Sequence, residues 1–101
     1  NITATKCFVG CSGLTENGIS TGLMKEMLIN QTMIKRTSGQ RFVLCDSTKI
    51  GVSYSFFYSS LKGFDYLITD VKADDEVIEK VKENTGINVI KVEPLKGGWK
   101  I

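Results

Sequence analysis

The stretch from Asp65 to Val92 reads as one strand-helix-strand unit, and this limits what the chain can fold into more than any other feature. Tyr66-Leu67-Ile68-Thr69 is a short apolar, β-favouring run that Asp70 ends. Asp74-Asp75-Glu76 then offers an N-cap and two acids for the first turn of a helix, where carboxylates satisfy free amides and complement the dipole. Val77, Ile78 and Val81 give that helix an apolar stripe, Gly86 suits its left-handed C-terminal residue, and Val89-Ile90 with Val92 forms the returning strand. Two strands joined in this way run parallel, with a right-handed crossover.

The rest of the chain repeats the alternation. Cys7-Phe8-Val9 is an apolar run ending at Gly10, and Gly10-Cys11-Ser12-Gly13 follows as a glycine-punctuated turn. Between Gly22 and Arg36, Leu23, Met24, Met27, Leu28, Met33 and Ile34 recur at helical spacing, which predicts a helix with one buried face and methionines as core fillers. Phe42-Val43-Leu44-Cys45 is continuously apolar, as expected of an inner parallel strand buried on both faces. Val52 to Leu61, rich in serine and aromatics, has no clear register, and Pro94 is placed to close the last element. The expected architecture is α/β: one domain over residues 1–101, a parallel sheet with helices on both faces.

Composition removes several function classes. With no histidine, the usual general base, the Ser-His and Cys-His nucleophile pairs and the commonest zinc ligand are absent. A net charge of +2, from 13 basic and 11 acidic side chains, is too balanced for a nucleic-acid footprint. Cys7, Cys11 and Cys45 lie in or beside apolar runs, where small buried thiols in a reducing compartment are favoured over a disulfide or metal site. Cys11 has no histidine to activate it and no cation in its own loop. No apolar run approaches the length of a membrane span, so a soluble, cytoplasmic protein is expected, with no cofactor, no metal and no membrane partner.

In open parallel sheets ligands bind at the carboxyl ends of strands, which directs attention to three loops. Gly10 to Gly13 places Ser12 between two glycines that let backbone amides approach an anion; the alternative is a tight turn and nothing more. Asp46-Ser47-Thr48-Lys49 puts a carboxylate, two hydroxyls and an ammonium directly after a buried strand. Lys49 suits a phosphate and Asp46 a sugar hydroxyl; alternatively Asp46 caps its own turn and Lys49 is solvated. Thr69-Asp70 has the same ambiguity, tilted towards turn chemistry.

Taken together, Lys6 to Leu14, Gly18-Ile19-Ser20-Thr21, Phe42 to Gly51 and Phe64 to Asp70 resemble the sensor domain of DeoR-type bacterial transcriptional regulators, over about Thr5 to Val92. The resemblance implies a Rossmann-like fold shared with ribose-5-phosphate isomerase and glucosamine-6-phosphate deaminase, here incomplete, and a phosphorylated sugar or related metabolite as effector. It further implies that this chain is the carboxyl-terminal part of such a sensor, without the family's helix-turn-helix or its principal phosphate loop, so that DNA is a partner only through a module outside it. Carried onto this sequence, the ligand-facing positions are Gly10, Ser12, Gly13, Asp46 and Lys49, with Lys49 matching a lysine that the isomerase relatives keep. One departure concerns the first helix: where the family commonly reads Glu-x-x-Val-Lys-Arg, this chain has Glu26-Met27-Leu28-Ile29-Asn30-Gln31.

The resulting expectation is a non-enzymatic sensor, whose effector shifts a repressor between states by differential affinity. The alternative is a fragment of a sugar-phosphate isomerase or deaminase, which needs a positioned acid or base that the Asn30-Gln31 face does not provide. A third reading is an oligomerisation module anchored by Tyr54 to Tyr58 and Trp99, with core filling as the competing role for those aromatics. A homo-oligomer is expected of the regulator.

Overall fold

A computed structural model describes residues 3–93; the positions of Pro94 and Trp99 lie outside the described residues. The strands β1 (Ala4–Gly10), β4 (Thr37–Leu44), β6 (Tyr66–Asp70) and β7 (Asn88–Val92) form a four-stranded sheet in the order β1-β4-β6-β7, parallel throughout. The strands β2 (Gly13–Thr15), β3 (Gly18–Thr21) and β5 (Phe56–Ser59) form a second, antiparallel sheet. Helix α1 (Met24–Lys35) and helix α2 (Asp75–Thr85) complete the fold.

The Asp65 to Val92 unit forms as its sequence dictates. The Asp74 carboxylate accepts from the amides of Glu76 at 2.9 Å and Val77 at 3.3 Å, and Gly86 closes α2 in the left-handed region at φ 70°. Asp65, immediately before β6, fastens the middle of β4 to the amino end of β7. Its carboxylate accepts from the Arg41 amide at 2.8 Å, its own amide donates to the Arg41 carbonyl at 2.9 Å, and its carbonyl accepts from the Asn88 amide at 3.1 Å.

Helices on both faces of the sheet are not what the described residues form. Val9, Val43 and Leu67, each fully buried, share one core with Ile78 and Val81 of α2, and Met27, Met33 and Ile34 of α1 pack against the same core. The opposite face carries Phe8, Phe42 and Tyr66 in register, stacked at ring-centroid separations of 4.6 and 5.0 Å, and Phe8 is 55% exposed. Leu44 and Ile90 on that face are exposed as well. Strand order explains this. Each successive parallel strand is added on the same side of the last, and right-handed crossovers that all step in one direction place every connection on the same face. A helix on the other face needs a reversal in strand order, and the described strands contain none. Phe42 to Cys45 therefore does lie on an inner strand, but one covered on a single face among the described residues.

Two further expectations are corrected. Helix α1 has no fully buried residue, and Leu23, Met24 and Leu28 are exposed, because its apolar residues spread around the axis and only Met27, Met33 and Ile34 reach the core. Met24 is thus not a core filler. The turn expected to end at Gly13 instead runs straight into a hairpin whose two-residue loop is Glu16-Asn17. The unclear aromatic segment resolves into β5, which pairs with β3; Tyr58 is buried, whereas Tyr54 and Phe57 stay exposed.

Candidate functional site

Because Gly10 and Leu44 are register partners, β1 and β4 end side by side and release their loops at the same edge of the sheet. The loop after β1 carries Cys11 and Ser12, both half-buried, into β2. The loop after β4 carries Asp46 into a single 3-10 turn, Ser47–Lys49. The two loops are joined through β2, whose Leu14 carbonyl accepts from the Gly51 amide at 2.7 Å. On the other side of the first loop, the Tyr58 hydroxyl donates to the Gly10 carbonyl at 3.0 Å.

Around the ends of β4, β6 and β7 lies a cavity of about 550 Å³. Leu44, Ile68 and Val92 give it an apolar floor, and Asp46, Ser47, Asp70 and Lys72 a polar rim. Thr69 also lines it, and its hydroxyl, on a residue only 3% exposed, meets no hydrogen-bond partner among the described residues. A buried hydroxyl without a partner is costly, which makes Thr69 a natural contact for a polar ligand. Thr69-Asp70 is one of the three loops the sequence singles out, there tilted towards turn chemistry; the unpartnered Thr69 hydroxyl adds to that expectation.

The carboxylates at this edge are largely occupied by the backbone. Asp46 accepts from the Thr48 amide at 2.9 Å and from the Thr48 hydroxyl, which hold its carboxyl below the ordinary carboxylate range. Its other oxygen faces the Lys49 ammonium at 3.8 Å, both side chains being well exposed. Asp46 therefore does cap its own turn, and Lys49 is paired with it at the surface. Asp70 accepts from the Ser47 amide at 2.7 Å and the Lys72 amide at 3.0 Å, and the Ser47 amide foremost holds its carboxyl down. Turn chemistry accounts for it.

A depressed folded pKa contributes stability that is present above the unfolded value, 3.8, and is lost as pH falls through the lowered folded value. Asp70→Asn is accordingly expected to be less stable than the native chain at pH 7 and to converge on it only as pH falls through the lowered folded value. Urea unfolding at both pH values checks this, and an unchanged gap at low pH would exclude the carboxylate as its source.

Of the expected ligand positions, Asp46 lines the cavity, Lys49 stands beside it through the ion pair, and Gly10 and Ser12 lie on the neighbouring strand end. Gly13 is buried in β2, and a Cβ there would collide with the Val52 carbonyl, so packing alone requires glycine at this position. Gln31 donates to the Tyr58 carbonyl at 3.5 Å, tying α1 to β5.

The domain gathers its polar loops at the carboxyl edge of a parallel sheet, the edge at which open α/β sheets commonly take their ligands. A family model described as DeoR C terminal sensor domain matches residues 1–71, and the chain belongs to that family. It is also similar to the HTH-type transcriptional repressor GlcR of Bacillus subtilis (strain 168), at 25% identity over 92 residues. That match takes in 91% of this chain and 35% of the relative, so the chain spans about a third of the repressor's length. The sensor-domain resemblance read from the sequence holds. No helix among the described residues is long and apolar enough to cross a membrane.

Proposed function

We propose that this chain forms part of the effector-sensing domain of a transcriptional repressor, and that the effector is a phosphorylated sugar or related metabolite held at the carboxyl ends of β1, β4 and β6. The observation that carries this is the convergence of the two expected ligand loops, tied to each other through the Gly51-Leu14 hydrogen bond. Lys49 suits the phosphate: an exposed pair with Asp46 is worth little, so the ammonium exchanges that carboxylate for a ligand anion at small cost. Thr69 and Asp46 suit sugar hydroxyls, with Gly10 and Ser12 supplying close approach from the neighbouring loop. In the whole protein a helix-turn-helix module contacts DNA, in keeping with the HTH-type repressor of Bacillus subtilis, and ligand occupancy alters its hold through differential affinity for two states.

An isomerase or deaminase reading is less well supported. It needs a carboxylate on the face where α1 carries Asn30 and Gln31, and Gln31 is engaged with β5. Calorimetry on the full-length protein with a panel of phosphorylated sugars tests the proposal. Lys49→Ala is expected to weaken the best ligand by about 10-fold or more, the scale of one charge-assisted hydrogen bond. Unchanged affinity would remove Lys49 from the site, and turnover of any sugar phosphate would favour the enzyme.

A further inference from the structure

We infer that Cys11 and Cys45 are a modification site, a thiol pair that a hydroperoxide converts reversibly into a disulfide joining the loops after β1 and β4. The register places them. Val9 pairs with Val43 and Gly10 with Leu44, so Cys11 and Cys45 are the residues that directly follow the paired ends of two adjacent parallel strands, Cys45 in the core and Cys11 packed against it. Neighbouring strands run about 4.8 Å apart, within the Cα separation of about 4.4–6.8 Å that a disulfide spans. Cys11 packs against the core that holds Cys45, and the Cys11 thiol, with burial second, pushes the Cys45 pKa up. Cys7 lies four residues earlier on β1, about 13 Å along the strand, and is out of reach.

Access differs between the two sulfurs in the way such a pair requires. Cys11 is half-buried and meets solvent, whereas Cys45 is 5% exposed. In the first step the Cys11 sulfur attacks the outer oxygen of the hydroperoxide. The O–O bond breaks, the alcohol leaves with the Cys11 proton, and Cys11 becomes a sulfenic acid. Cys45 sulfur then attacks Cys11 sulfur; the S–S bond forms as the S–O bond breaks, and hydroxide leaves as water with the Cys45 proton. The balance is two thiols and one hydroperoxide to one disulfide, one alcohol and one water. A thiol reductant reverses it.

The link fastens the first loop to the second. Its consequence for ligand affinity rests on the function proposed above, but the link itself does not, and mass mapping reads the link alone. Full-length protein is titrated with hydrogen peroxide, alkylated with N-ethylmaleimide under denaturing conditions, digested and mapped. The expected product joins the Cys11 peptide to the Cys45 peptide, leaves Cys7 alkylated, and reverts with dithiothreitol. Cys11→Ser, at the more exposed position, is expected to keep its fold and leave Cys45 reduced at the same peroxide concentration. Recovery of both cysteines alkylated, conversion of Cys11 to sulfinic acid without a link, a link between two molecules, or oxidation of Cys45 at the native rate in Cys11→Ser would each overturn the inference.

Discussion

Replacing Leu67 with alanine is expected to cost about 2–5 kcal/mol, much of the stability of a domain this size. Leu67 is fully buried on β6, between Val43 of β4 and Val89 of β7 in register, and it faces the core that both helices cover. The comparison that gives the number meaning is Leu44→Ala, on the adjacent strand but facing the other way and 41% exposed. There the expected loss is under about 1 kcal/mol, since less apolar surface leaves water on folding. Urea unfolding of the two variants checks the one-sided core directly. Equal losses would mean that both faces of the sheet are packed.

Gly13→Ala is expected to destabilise by about 1–3 kcal/mol, as overpacking does. The added methyl meets the Val52 carbonyl, a backbone group that cannot rotate away, and then the Ser20 hydroxyl. Ser12→Ala, one residue earlier on the half-buried loop, is expected to be near neutral for stability. Measured together by thermal unfolding and ligand binding, the pair separates what the first loop needs in order to fold from what it offers a ligand. If Gly13→Ala unfolds like the native chain, the close packing of β2 on Val52 does not hold in solution.

The elements legible in the sequence are those whose ends carry their own chemistry. Asp74 and Gly86 mark the two ends of α2 through groups that act locally, and the helix between them forms as expected. The apolar runs at Cys7, Phe42, Tyr66 and Val89 all became strands of one parallel sheet. What covers a strand is not a local property. Phe8, Phe42 and Tyr66 are as apolar as residues in a doubly covered sheet, and only the strand order reveals that nothing among the described residues packs on them. The hairpin is not legible in the sequence, because its two-residue loop is Glu16-Asn17 and the Asn17-Gly18 pair straddles the turn instead of forming it. At the site, Asp46 and Lys49 stood out by their place after a strand. Thr48's claim on Asp46 and the missing partner of Thr69 depend on side-chain directions that spacing does not determine.

Asp65 ties the middle of β4 to the amino ends of β6 and β7, while the loops of Ser12 and Lys49 follow the carboxyl ends of β1 and β4. The two ends therefore tolerate sequence change unequally. Substitutions near Asp65 disturb the fastening of β4, β6 and β7, whereas those in the exposed parts of the two loops leave every strand pair intact. Divergence can accumulate at the loop end without a new scaffold.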